Sequence, residues 1–352
     1  MRSILFATSV MLLAIVSRAI GDDGTLIVLN KAEASASLID LATGKEVRRV
    51  QTGEGPHEVA VSPDGATAVV ADYGASQPGH TLSVIDVVNG VSLSQINLGM
   101  NTRPHGIAFL DDTRVIVTTE GSKSVVIVDI AEGEVVDTVV TGQEVTHMVA
   151  VAPNLNRAFT ANIGSGTLTA IDLGEKKVIE HVETGSGAEG IDVSPSGTEV
   201  WVANRDANTV TVVHANTLEV FAQLECGQFP IRVKFTPDGR HVLVSNARSG
   251  EVAVFDAAKR EEVARVKITA PEIEGQEMLG SQGPVPIGII MPPNGGRAYV
   301  ASANADIIAT IELGTWKLGA PLKAGKEPDG MAWSPLKFGA EAKRRESTTY
   351  GS

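Results

Sequence analysis

The 352-residue chain has one cysteine, Cys226, so it can hold neither an internal disulfide framework nor a multi-cysteine metal or iron–sulfur site. Aromatic residues are scarce (Phe 8, Trp 3, Tyr 3). With so few rings the strands must be built from Val, Ile and Thr. Basic residues are in deficit, Lys+Arg 29 against Asp+Glu 42, a formal charge of −13. That balance argues against nucleic acid or an anionic membrane surface as the main partner. After residue 16 there is no long uncharged apolar run. No Gly-x-Ser-x-Gly elbow, HExxH or CxxCH occurs, which removes the sequence signals of a serine hydrolase, a zincin and covalent haem. What is abundant is glycine, 36 residues, as expected where many short strands are joined by tight turns.

At the amino terminus, Met1-Arg2 precede an uncharged apolar run from Ile4 to Val16, followed by small residues around Ala19 and Gly21. The run is too short for a membrane span; the alternatives are a membrane anchor or a buried first strand. A positive start, a short apolar stretch and small residues at the cut predict a cleaved secretory signal over residues 1–21. The expectation is a periplasmic or secreted chain with no membrane span after cleavage. The terminal stretch 338–352 is small, polar and locally basic (Lys343-Arg344-Arg345), and is expected to be disordered.

Between these ends one unit recurs, a short strand running into a Pro-Asp-Gly-like turn. His57-Glu58-Val59-Ala60-Val61-Ser62-Pro63-Asp64-Gly65 returns as Ile231-Arg232-Val233-Lys234-Phe235-Thr236-Pro237-Asp238-Gly239, with five looser copies. The copies begin at residues 57, 105, 147, 189, 231, 287 and 329, so four of the six steps are 42 residues. The 48-residue step contains the loop Ala75 to His80, and the 56-residue step an insertion from Pro271 to Gly283. Each unit continues with three more alternating strands, and four strands in about 40–45 residues is one propeller blade. The first unit, Thr25-Leu26-Ile27-Val28-Leu29-Asn30, lacks a first strand, and the last stops after one, Gly330 to Ser334. Pairing the two halves predicts an all-β, seven-bladed propeller over residues 22–337, closed by its N- and C-terminal strands. An open solenoid would leave both halves unpaired.

Trp201-Val202-Ala203-Asn204, Val84-Ile85-Asp86 and Leu38-Ile39-Asp40-Leu41-Ala42-Thr43-Gly44-Lys45 resemble the YVTN-type repeat of exported, YncE-like bacterial propellers. The resemblance spans nearly the whole chain past the signal. It implies a mostly non-enzymatic binding or accessory protein, with one branch of the group linked to periplasmic PQQ-dependent oxidation of alcohols. Thr118-Thr119-Glu120 and Ala301-Ser302 depart from the repeat, so blades three and seven are expected to be locally altered.

In a propeller the loops entering the first strand and joining the second to the third lie on one face. Two columns should converge there. The first is His57, His105, His147, Glu189, Ile231, Ile287 and Asp329; the second is Asn30, Asp72, Glu120, Asn162, Asn204, Asn246 and Ser302. Imidazoles with carboxylates could hold Zn²⁺, Cu²⁺ or Ni²⁺, with His57, His105 and His147 the metal candidates, and added oxygens would suit Ca²⁺. The same columns read equally as inherited structural positions. Arg103, Arg205, Arg232 and Arg248, placed in the same loops, could recognise a carboxylate or phosphate. The leading expectation is a scaffold that binds a protein or small ligand at the channel face, with no catalytic residue assigned. The alternative is a metal-dependent, lactonase-like hydrolase, in which Glu, Asn and Asp oxygens would share one cation that activates water. A third is a redox accessory protein needing copper or a quinone partner.

Three further features read as structural. Gly185-Ser186-Gly187-Ala188-Glu189-Gly190 matches a dinucleotide fingerprint but is followed by a strand pattern. Asp40, Asp86, Asp129, Asp172 and Asp256 recur at the end of the third strand in five blades, before a turn. Cys226 has no local histidine partner and reads as a packing residue.

Overall fold

The computed structural model describes residues 22–270, 277–293 and 295–340; the expected signal segment and most of the expected tail lie outside them. Residues 338–340 are placed against blade two, where the Gly339 amide donates to Val88 O at 2.8 Å.

Seven antiparallel sheets form the ring. Blade two shows the pattern: Pro56–Val61 innermost, then Thr67–Gly74, Pro78–Asp86 and Val91–Asn97. Blade one is assembled from both ends of the chain, as the repeat arithmetic requires. Its inner strand, Pro328–Ser334, pairs with Thr25–Asn30, setting Trp333 opposite Leu26 and Ser334 opposite Thr25. The outer strand of blade seven is broken into Lys317–Leu318 and Leu322–Lys323. Among the described residues no helix is long and apolar enough to cross a membrane.

Burial follows the strand order. Second strands such as Glu199–Asn204 are buried on both faces except at their first residue, while outer strands such as Lys45–Gln51 keep one buried residue. The apolar faces pack between neighbouring blades. Trp201 of blade five meets Phe235 and Phe255 of blade six, with ring centres 5.8 and 6.0 Å away. The third-strand aspartates cap turns: Asp172 Oδ1 accepts from the Gly174 and Glu175 amides, and Asp129 Oδ1 from those of Ala131 and Glu132. In blade five His214 takes that position, its Nδ1 accepting from Asn216 and Thr217.

One backbone device repeats seven times and builds the site. Each inner strand slips register against its neighbour near its start, as between Pro56 and Glu58 or Thr146 and Met148. The extra residue of such a bulge is unpaired and its side chain is re-aimed. The unpaired positions include His57, His105, His147, Glu189, Ile231, Ile287 and Asp329. Two residues earlier, every blade has positive φ: Gly55, Arg103, Val145, Gly187, Phe229, Val285 and Glu327. Left-handed backbone is costly for any residue with a Cβ, most of all Val, so five of these entries carry strain at the channel mouth.

Candidate functional site at the channel mouth

The carbonyl of each left-handed residue accepts a hydrogen bond from the loop after the second strand of its own blade. The donors are the amides of Lys31, Tyr73, Glu120, Ile163, Arg205, Ala247 and Ala303. These seven are therefore structural equivalents, and they correct the second column. Thr119 pairs with Pro104 as Asn162 pairs with Thr146, so Thr119 is the blade-three member of the asparagine column. Glu120 lies one residue beyond it, in the column that faces the mouth with Lys31, Tyr73 and Arg205.

The asparagine column itself is a buried clasp. Asn162 Nδ2 donates to the Thr167 and Thr169 hydroxyls, and Asn204 Nδ2 to those of Thr209 and Thr211. Asn246 Oδ1 accepts from the Cys226 thiol at 3.1 Å, and burial pushes that thiol up to about 12. Asp72 accepts from Thr81, Ser83, Gln95 and the Gly53 amide. These four side chains are buried and do not line the mouth. The Gly185–Gly190 fingerprint runs directly into the strand Ala188–Val193, with no helix after it.

The first column does converge. His57, His105, His147, Glu189 and Asp329 line a cleft of about 170 Å³ together with Lys31, Tyr73, Ile231, Ile287 and Leu279 from the blade-seven insertion. The three imidazoles form a row: the rings of His57 and His105 are 5.1 Å apart and those of His105 and His147 3.7 Å. Tyr73 lies 4.4 Å from His57, with the Arg103 guanidinium 4.8 Å from its ring centre. His147 is held from both sides, Nδ1 at 2.5 Å from Glu120 Oε1 and Nε2 at 3.5 Å from Glu189 Oε1. Glu120 Oε2 accepts from the Tyr73 hydroxyl at 2.6 Å, and Glu189 Oε2 from Arg205 at 3.0 Å. Lys31 reaches Asp329 at 3.6 Å. His57 Nδ1 meets Gly55 O at 2.7 Å, and His105 Nδ1, buried, has no hydrogen-bond partner.

These contacts set the charges. Burial alone would lower the His147 pKa, but Glu120 and Glu189 raise it to about 9, so this ring is an imidazolium at neutral pH. Burial drives His105 well below its ordinary value, reinforced by the charge of His147. His57 is lowered by burial, opposed in part by Asp329. Burial would raise Glu120, but the hydrogen bond and charge of His147 hold it below the usual carboxylate range. Burial and Glu120 together raise the Tyr73 phenol. One charged and two neutral imidazoles thus lie side by side.

Directly beneath, the channel is plugged. The residue after each histidine-column position is Glu58, Gly106, Met148, Gly190, Arg232, Gly288 or Gly330 around the ring. The glycines are forced by close approach: a Cβ on Gly330 would sit 2.1 Å from His57 O, and one on Gly106 2.6 Å from Val149 N. The three large side chains fill the waist. Arg232, expected in a rim loop, is instead buried in the inner strand Pro230–Phe235 and forms an ion pair with Glu58 across the channel, with Met148 Sδ at 3.2 Å. Burial raises the Glu58 carboxyl, against the pull of Arg232. Arg248 keeps its expected place in the loop after the second strand of blade six, stacked 3.9 Å over Phe229 and donating to the Leu279 carbonyl. Tyr73, Lys31 and the Glu58–Arg232–Met148 plug escaped the sequence reading, although each stands one residue from a column already marked.

The fold and this mouth define a seven-bladed propeller with a titratable cleft at one end of a plugged channel. The sequence model of the family described as "Lactonase, 7-bladed beta-propeller" matches residues 25–267, from the first strand of the ring to the last of blade six, and the chain belongs to that family. No curated protein sequence matches. Among solved structures, Kuenenia stuttgartiensis hydrazine synthase is similar with a TM-score of 0.68 at 18% identity, over 80% of this chain and 90% of that one. A functionally unknown protein from Desulfotomaculum acetoxidans has a TM-score of 0.74 at 13% identity, over 90% of this chain and all of that one. At these identities the likeness is one of fold.

Proposed function

We propose that this protein is an exported binding module that takes a small ligand into the histidine-lined mouth. The carrying observation is that the cleft is prebuilt: His57, His105, His147, Glu189 and Asp329 come from five inner strands, and the plug closes the floor. At about 170 Å³ the cleft suits a ligand of a few heavy atoms or an ion with its waters, well short of a drug-sized pocket. Among the described residues lining it there is no serine, threonine or cysteine to act as a nucleophile. The YVTN-like repeats support an exported, accessory role. A thermal-shift screen of small metabolites and metal ions tests this reading. A ligand that raises the midpoint of the native chain but not of Glu189→Gln supports it; a mouth that takes nothing in either contradicts it.

Family membership favours a second reading, lactone hydrolysis. An oxygen-ligated cation does not fit as its catalyst, because Asp72, Asn162, Asn204 and Asn246 are buried and spend their polar groups on hydrogen bonds away from the mouth. A neutral imidazole, His57 or His105, is the better-placed general base for water attack. Turnover of simple lactones, lost in His57→Gln or His105→Gln, would establish it. Absence of turnover with ligand binding intact would leave the module reading alone.

A further inference from the structure

Resting on the reading of the mouth as a small-ligand site, we propose that its ligand is a divalent transition-metal ion of the Zn²⁺, Co²⁺, Ni²⁺ or Cu²⁺ type, held by His105, His147 and Glu120. Among the described residues, these three are the group whose nitrogen and oxygen atoms lie close enough for one ion, all within 4.8 Å of one another. Two imidazoles and one carboxylate are a borderline donor set, which suits these ions better than Ca²⁺ or Mg²⁺.

The surroundings are those of a metal site, with the outer atoms of two ligands already secured. His147 keeps Nε2 facing Glu189, which Arg205 fixes in turn, leaving Nδ1 directed at Glu120. Carboxylate–histidine–metal relays have this form, and the outer carboxylate sets ring orientation and ligand basicity. Glu120 has one oxygen on Tyr73 and the other on His147. His105 contributes the independent observation: its ring is buried, 5% exposed, and its Nδ1 lacks any partner. A buried polar atom left unsatisfied is costly unless something absent from the bare chain completes it. On binding, the ion displaces the proton lying between His147 Nδ1 and Glu120, and that proton leaves to solvent. For bond lengths of about 2.0–2.2 Å, His147 Nδ1 and Glu120 Oε1 must part from 2.5 Å to admit the ion while the His105 nitrogen draws in, movements that side-chain torsions can supply. Three protein ligands leave a coordination position open toward the cleft, so water or a small exogenous donor completes the sphere. His57, whose Nδ1 is engaged by Gly55 O, stands beside the ion rather than on it.

The test uses the purified chain, stripped with a chelator and titrated with Zn²⁺ by calorimetry and with Co²⁺ by visible absorption. The expected result is one ion per chain, with d–d bands reporting nitrogen and oxygen ligands. Affinity should fall at least 100-fold in His105→Gln and in Glu120→Gln, and roughly 10–100-fold in Glu189→Gln, which alters only the outer partner. Circular dichroism confirms that each variant is folded. His57→Gln should keep the Co²⁺ spectrum. No stoichiometric ion in the native chain, or an affinity unmoved by both ligand variants, overturns the proposal. If ions fail while an organic ligand still raises the midpoint of the native chain and not of Glu189→Gln, the metal is wrong and the binding module stands.

Discussion

Replacing Asp72 by Asn should stabilise the protein at neutral pH, and the reason can be read from the other blades. Asn30, Asn162, Asn204 and Asn246 hold the same position, each neutral and fully buried. Asp72 is 1% exposed and accepts from Gly53, Thr81, Ser83 and Gln95, yet burial still pushes it up to about 6 against those hydrogen bonds. A carboxyl with a folded pKa near 6 and an unfolded one near 3.8 is penalised as an anion by up to about 3 kcal/mol at pH 7. The amide has its bonds laid out. Asn30 Oδ1 accepts from the Gly325 amide much as Asp72 does from Gly53, and Asn162 Nδ2 donates to Thr169 where Asp72 accepts from Ser83. Losing the Gln95 contact offsets about 1 kcal/mol, so a net gain of roughly 1–2 kcal/mol is expected, or about 2–3 °C in Tm for a chain this long. The sign depends on pH. Because the folded pKa is raised, protonated Asp72 contributes its stability below about pH 3.8, and that contribution is lost as pH rises through about 6. Urea denaturation of both proteins at pH 4 and pH 7.5 reads the difference. The gain should be near zero at the lower pH and full at the higher. A variant less stable at pH 7.5, or a difference that ignores pH, would refute the reasoning.

Gly330→Ala should cost roughly 2–4 kcal/mol, or prevent folding, because its Cβ meets backbone 2.1 Å away at the ring closure; Gly296→Ala, with nothing within 4 Å of its Cβ, should change the urea midpoint little. Arg232→Leu leaves the Glu58 carboxyl buried without its partner and should lose about 3–5 kcal/mol, whereas the double change with Glu58→Met should recover most of it in a double-mutant cycle. Trp201→Ala, which empties the buried contact between blades five and six, should cost about 3–5 kcal/mol by the same measurement.

The ring was legible because repetition makes weak signals add. A single strand such as Thr167–Asp172 says little, but steps of 42 residues and two complementary half-blades leave few architectures open. The histidine column was legible for the same reason, since each member precedes the same strand pattern. Its convergence depends on a bulge, which leaves no residue type of its own in the sequence. Glu120 was placed in the wrong column because Thr119 replaces asparagine, so an acidic residue one step later looked like the better match. The plug was hidden more deeply: Glu58 and Arg232 are 174 positions apart, and nothing local shows that they meet across the channel. His214 standing in for a turn-capping aspartate escaped because the two groups share only the ability to accept from backbone amides.

The central claim is that the ring brings three sequence-distant histidines into one buried electrostatic environment that gives each a different proton affinity. Long-range proton–nitrogen NMR of labelled imidazoles, titrated from about pH 5 to pH 10 and assigned with His→Gln variants, tests it directly. His147 should remain charged until about pH 9, while His57 and His105 should titrate below the ordinary 6.5. Three histidines titrating together near 6.5 would mean that the rings are apart in water, and the channel-mouth site would not exist.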